Sequence, residues 1–215
     1  ELLDILSNQQ APMTLRELYQ ASGYPKSTIY ALLSTLRAYG CIRQESDGRY
    51  YLGMKLFQWG CSVSASWDIT RLARPYLERL ARDTGSTALL SRVEGSSITV
   101  IDQCVSGSGI RVASEMGSHV SLYATSQGKL LLASLSDSAV RRLIPEGKLQ
   151  AFTPHTLTDL PALLADLERI RTQGYAIENG EYKIGLRSVS APVYSRENDI
   201  AYIVSAVGLF RRVES

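Results

Sequence analysis

The chain has 215 residues, room for one large or two small domains, and a hydrophobic content of 45% that is ample for a packed core. Its net charge is only +2, it holds no run of roughly 18 or more apolar residues, and no signal-peptide pattern opens it. Cys41, Cys61 and Cys104 are odd in number and scattered, which excludes a disulfide scaffold or a cysteine zinc site and points to reduced thiols in the cytoplasm, with no membrane span.

The chain opens inside a helical pattern, with Leu2, Leu3, Ile5 and Leu6 on one face and no cap before them. The natural protein is therefore expected to start earlier. Ser7 to Pro12 is a polar loop. Thr14 is a good N-cap, and Glu17 three residues on completes a capping box. Leu15, Leu18 and Tyr19, then Ile29, Leu32, Leu33 and Leu36, follow the 3, 4 spacing of a buried helical face. Between the two sets lies Ser22-Gly23-Tyr24-Pro25, a tight turn. Gly23 suits a positive φ at a helix end, and Pro25 suits the first turn of the next helix.

Two short helices across such a turn make either an ordinary αα-hairpin or a helix-turn-helix. The following segment favours the second reading. Tyr39-Gly40 ends the helix, and Ser46-Asp47-Gly48 separates two short β-prone runs, a hairpin signal. Helix, turn, helix, hairpin is the order of a winged helix-turn-helix. The second helix then presents Lys26, Ser27, Thr28 and Tyr30 to base edges and phosphates, with Arg37 further along it and Arg43 and Arg49 in the wing. Residues 1 to 60 carry six Lys or Arg against five Asp or Glu, so this head is only +1. One copy would neutralise few phosphates, so a dimer or higher oligomer is expected on double-stranded DNA.

Gly53 to Trp67 reads as a helix rich in small residues, with Leu56, Trp59 and Val63 on one face. It is either a core helix or a linker that pairs with its copy, and the completeness of the head at Leu52 favours the linker. Asp68 to Thr84 is an amphipathic helix with Ile69, Leu72, Ala73, Tyr76, Leu77, Leu80 and Ala81 inward, and Pro75 as a kink point. Strands are expected over Thr87–Val93, Ser97–Val105 and Ile110–Ala113. A helix should follow through Leu135, then a short one capped by Ser136, and another over Leu160–Thr172. Strands over Tyr175–Glu178, Leu186–Tyr194 and Ala201–Val207 complete the pattern. The order is α+β with an antiparallel sheet.

No catalytic motif occurs in this second part, no metal site is indicated and none of its motifs asks for a cofactor. His119 and His155 read as structural hydrogen-bonders. Ala124-Thr125-Ser126 sits at a helix start, Glu178 closes a strand, and Ser188 and Ser205 lie in later strands. These six residues could grip a small organic acid through helix-end N–H groups and hydroxyls. They could equally be caps and turns around a filled core.

Four segments carry a family resemblance. They are Gly23-Tyr24-Pro25-Lys26-Ser27-Thr28-Ile29-Tyr30 with Leu32-Leu33, Tyr50-Tyr51-Leu52-Gly53-Met54-Lys55-Leu56, Leu122 to Lys129, and Glu178-Asn179-Gly180-Glu181 with Gly185 to Val193. In this order and spacing the chain resembles an IclR-family transcriptional regulator over nearly its whole length. The resemblance implies a winged helix-turn-helix over 1–52, a linker helix over 53–67 and a GAF-like effector-binding domain over 68–215, without the C-terminal helices usual beyond that point. It implies a repressor or activator, not an enzyme, acting as a homodimer or homotetramer on a double-stranded DNA operator and sensing a small organic acid such as a sugar acid or aromatic acid. Gly180 and Ser188 stand where the family pattern has a carboxylate and often Cys, and Ala31 where Arg or His is common. A small-molecule enzyme with a winged-helix interaction module, and a DNA binder blind to ligands, are the competing classes.

Overall fold

The structure is a computed structural model describing residues 1–8, 11–65, 68–105, 120–145 and 147–209. The strand expected over 110–113, and His119, lie outside the described residues. The chain divides into two compact units, Glu1–Asp68 and Ile69–Ser215.

The first unit begins with α1 (Leu2–Asn8), α2 (Leu15–Ser22) and α3 (Lys26–Ala38), and continues into the hairpin β1 (Ile42–Gln44) and β2 (Tyr50–Leu52). The capping box forms, with Glu17 N–H donating to Thr14 Oγ1 and Thr14 N–H to Glu17 Oε2 at 2.7 Å. Gly23 takes φ +70°, where a side chain would be strained, and its N–H closes α2 onto Tyr19 O. Pro25 stands as the N-cap of α3 itself, one position earlier than the first helical turn expected of it. Leu2, Leu6, Met13, Leu18, Ile29, Leu33, Ile42 and Tyr50 form the core. Backbone bonds between Met13 and Tyr50 tie the hairpin to the loop before α2. Leu32 and Tyr19, both expected on the buried face, are 43% and 40% exposed, because the apolar stripe of each helix is wider than the surface its neighbours cover. The unit ends with α4 (Met54–Ala65), on which Met54, Phe57, Trp59 and Val63 are exposed.

The second unit starts with α5 (Asp68–Thr84), which runs on through Pro75. Five strands form one antiparallel sheet: β3 (Thr87–Glu94), β4 (Ser97–Cys104), β5 (Ala176–Asn179), β6 (Leu186–Tyr194) and β7 (Ile200–Leu209), in the order β4-β3-β7-β6-β5. Among the described residues, three helices lie between β4 and β5 in the chain: α6 (Ser126–Ala133), α7 (Asp137–Leu143) and α8 (Leu160–Gln173). Strand alternation sorts the two faces. Ala88 and Leu90 of β3 meet Leu77 and Ala81 of α5 on one face. Serines and aliphatics of the other face meet α6, and α8 packs outside α6. The result is an α+β arrangement with helices on both sides. Leu72 and Tyr76 of α5, expected inward, are exposed, because only one edge of that broad apolar stripe reaches the sheet.

Candidate functional site

Two sets of residues carry chemistry. The first is the outer surface of α3. Its N-cap, Pro25, makes no side-chain capping bond, so the first N–H groups of the helix remain for an outside acceptor. Lys26, Ser27 and Thr28 are exposed, as is Tyr30 at 63%. The Lys26 ammonium lies 5.4 Å from the centre of the Tyr19 ring, which steadies the flexible stem. Arg37 Nη1 donates to Gln44 Oε1 at 3.0 Å, and Gln44 Nε2 donates to Gly48 O at 3.1 Å. The wing therefore holds the arginine of the helix. Between them lies a cleft of about 270 Å³ lined by Tyr30, Ser34, Arg37 and Gln44 over a floor including Leu33 and Tyr50.

The wing arginines are less available. Arg43 pairs with Glu45 and stacks on Tyr51, 4.4 Å from the ring centre. Arg49 Nη1 donates to Pro12 O at 2.8 Å and meets Glu17 Oε2 at 3.3 Å, so it clamps the hairpin to the start of α2. The same Glu17 carboxyl is held below its ordinary pKa first by the Thr14 N–H and then by the Thr14 hydroxyl.

The second set is a polar row buried between the sheet and α6. Antiparallel register sets Glu178 opposite Ser188, and Ser190 opposite Ser205. Gly128 makes room above them: a Cβ there would lie 2.2 Å from Ser121 O, so only glycine lets α6 come so close to the preceding segment. Ser126 Oγ lies 2.7 Å from both Ser188 Oγ and Ser190 Oγ, and Ser190 Oγ lies 2.8 Å from Ser205 Oγ. Ser188 donates to Glu178 Oε2 at 3.3 Å, while Glu178 Oε1 accepts the N–H groups of Glu181 at 2.7 Å and Tyr182 at 3.2 Å. Each hydroxyl has one proton. With Glu178 as the terminal acceptor, the donors run from Ser205 through Ser190, Ser126 and Ser188 to the carboxylate. Burial pushes the Glu178 pKa up, and the Tyr182, Glu181 and Ser188 hydrogen bonds pull back against it.

The structure thus brings together Ser126, Glu178, Ser188 and Ser205. Thr125 stands outside the row: its hydroxyl is the N-cap of α6, accepting from Gly128 N–H at 3.1 Å and donating to Ser121 O at 2.7 Å. Ala124 is fully buried beside it.

Sequence reasoning did not single out Ser190, which completes the row. Its signal was available, since positions two apart in a strand share a face with Ser188. It also missed a buried ion cluster. Lys129, on α6, places its Nζ 2.7 Å from Glu181 Oε1 and 2.9 Å from Asp166 Oδ2, the second contact lacking hydrogen-bond alignment. Asp166 comes from α8, and no local pattern announces that meeting. Among the described residues, no group of three or more His, Cys, Asp or Glu could hold a metal ion, and no helix is long and apolar enough to cross a membrane.

Comparison with known proteins agrees with this layout. Residues 1–46 match the IclR helix-turn-helix domain, and residues 61–215 match the C-terminal domain of bacterial IclR transcriptional regulators. The chain is 33% identical to the HTH-type transcriptional regulator XynR of Escherichia coli K12, over all of this chain and 85% of that one. It is 32% identical to the HTH-type transcriptional repressor AllR of the same organism, over 86% of this chain and 68% of that one. A crystal structure of an IclR regulator from Alicyclobacillus acidocaldarius superposes with a TM-score of 0.83 at 28% identity, covering 100% of this chain and 87% of that one. These relatives are named as regulators, and the enzyme reading finds no support among them. With a helix-turn-helix head and an effector-type body both matched, the chain belongs to the IclR family and is a ligand-responsive, DNA-binding transcriptional regulator.

Proposed function

We propose that this regulator is a repressor that leaves its operator when a small organic acid enters the body. The observation that carries the ligand reading is the hydroxyl row ending on Glu178. Four serines and a carboxylate buried between the sheet and α6 are a costly way to fill a core. They are a suitable way to receive a polar ligand, whose oxygens would accept from serine hydroxyls turned away from Glu178. A carboxylate ligand favours Glu178 in its protonated form, in which it can donate. Burial raises the Glu178 pKa above its ordinary value, the direction that favours that form. The repressor sign takes its support from a relative named as one.

On the DNA side, the reading assigns Lys26, Ser27, Thr28 and Tyr30 to the major groove and flanking phosphates. Arg37 is presented by Gln44 to the backbone beside the wing. Arg43 and Arg49 are assigned a supporting part, since both already face acids. Two copies act together through α4, whose exposed Phe57 and Trp59 supply an apolar face for the partner. A ligand moves such an assembly only by binding one placement of the two heads better than the other.

The test is retention of the chain's own upstream DNA on a gel, with sugar acids and aromatic acids added in turn. Release by one acid, with a matching rise in melting temperature, is expected. Retention unaffected by every acid contradicts the ligand class. Absence of retention at low salt contradicts the head.

A further inference from the structure

Glu178 is held by two peptide units of the turn that follows it. The N–H of Glu181 and the N–H of Tyr182 both donate to Glu178 Oε1, at 2.7 and 3.2 Å. A peptide unit is planar and trans, so each N–H points away from the carbonyl of its own unit. Those two carbonyls, Gly180 O and Glu181 O, are held from the far side. Thr153 Oγ1 donates to Gly180 O at 2.6 Å, and Thr156 Oγ1 donates to Glu181 O at 2.6 Å. Both threonines are buried, and each hydroxyl has one proton to give. Hydrogen bonds in series polarise one another, so a donor on each carbonyl strengthens the N–H at the other end of the unit.

The threonines are themselves tied down. Thr156 Oγ1 accepts the N–H groups of Phe152 at 3.0 Å and Thr153 at 2.9 Å, and Thr153 Oγ1 accepts that of His155 at 3.0 Å. The start of this 150–156 segment is fixed to the approach of α6: the Tyr123 hydroxyl donates to Gln150 O and accepts from Gln150 N–H, both at 3.1 Å. The Phe152 ring lies between those of Tyr123 and Tyr182, with centres 5.8 and 5.2 Å away. The segment therefore ties the helix that carries Ser126 to the turn that holds Glu178. We propose that the 150–156 segment is the scaffold of the ligand site, with Thr153 and Thr156 as positioning residues that act on an acid in the hydroxyl row only through Glu178. The proposal rests on the organic-acid reading of that row. Loss of either hydroxyl loosens an N–H that pulls the Glu178 pKa down against burial, so the carboxyl should hold its proton to higher pH. The charged and titratable groups around it are Glu181 and Tyr182 on the turn, Lys129 on α6, Asp166 on α8, His155 in the segment and Arg187 on β6. The variants below leave all of them in place.

The experiment follows the Glu178 carboxyl across pH by carbon NMR on the full chain. Thr156→Val removes the donor, Thr156→Ser keeps it, and Val140→Ala loosens the same core at a fully buried site of α7 away from the segment. The titration midpoint is expected to rise in Thr156→Val, to stay near wild type in Thr156→Ser, and to stay unmoved in Val140→Ala. Amide exchange at Glu181 and Tyr182 should quicken about tenfold or more in Thr156→Val alone of these three. Thr153→Val makes the same test through the Gly180 unit, should Thr156→Val fail to fold. Calorimetry with gluconate and with benzoate adds the functional readout. For whichever acid binds the wild type, the pH above which affinity falls should move up with the Glu178 midpoint. An unmoved midpoint in the valine variants, an equal rise in Val140→Ala, or a raised midpoint in Thr156→Ser would each overturn the positioning role. An affinity profile that stays put while the midpoint moves would overturn the route through Glu178. Binding of neither acid by the wild type counts against the organic-acid reading instead, and the midpoint still decides the positioning role.

Discussion

The head and the body solve opposite problems with polar groups. In the head, charge is kept at the surface and the core is apolar throughout: Leu18 and Ile29 are fully buried, and the basic residues meet acids or aromatic rings at the rim. In the body, polar groups are buried around α6: Lys129, at 1% exposure, meets Glu181 and Asp166, and a row of serines meets Ser126. A surface meant for DNA needs charge facing water. The buried row proposed to receive a small ligand keeps its polarity away from water, where competing solvent is absent and each hydrogen bond counts for more.

The largest effect that would break this contrast lies in the ion cluster. Lys129→Ala leaves Glu181 and Asp166 buried without their cation and should cost about 3–5 kcal/mol. Calorimetry should show the body melting earlier while the head transition stays. In the head, Leu18→Ala empties a fully buried site and should cost about 2–5 kcal/mol, lowering the head transition and leaving organic-acid binding by the body in place. Equal loss in both units for either variant would mean the two do not behave as separate solutions.

Smaller effects sharpen the comparison at the two surfaces. Lys26→Ala should weaken binding to all DNA sequences and lower the salt slope by about one per subunit. Gln44→Ala frees Arg37 from the wing and removes a net hydrogen bond of about 0.5–1.5 kcal/mol, so operator affinity should fall a few-fold with the slope retained. Anisotropy titrations at several salt concentrations distinguish these outcomes.

The gentlest change is Glu178→Gln, which keeps two acceptor bonds and can donate to Ser188. Because the folded Glu178 pKa lies above the ordinary 4.5, the folded state holds its proton longer than the unfolded chain. Stability contributed by that proton is present at low pH and lost as pH rises from 4.5 through the raised folded value. The wild type should therefore lose melting temperature across that window, and Glu178→Gln should flatten the loss.

The head was readable because its signals are local. Thr14 with Glu17, Gly23, and Asp47-Gly48 each fix backbone within a few residues, and all three turn up where the spacing puts them. The described strands and helices of the body were readable for the same reason. What the sequence could not show is pairing at a distance. Lys129 and Asp166 are far apart in the chain, and Gln44 earns its place only by meeting Arg37 across a turn. Exposure also escaped periodicity: Leu72 and Tyr76 keep the spacing of a buried stripe, yet the sheet reaches only Leu77 and Ala81 beside them.

One paired titration goes to the heart of the matter. Labelled upstream DNA is titrated with Lys26→Ala and Ser188→Ala chains, with and without the releasing acid. Lys26→Ala should bind weakly from the start, and Ser188→Ala should bind normally yet fail to let go when the acid is added. Full-strength binding by Lys26→Ala, or ordinary release of Ser188→Ala, would contradict the proposal of a DNA-gripping head governed by the buried serine row in the body.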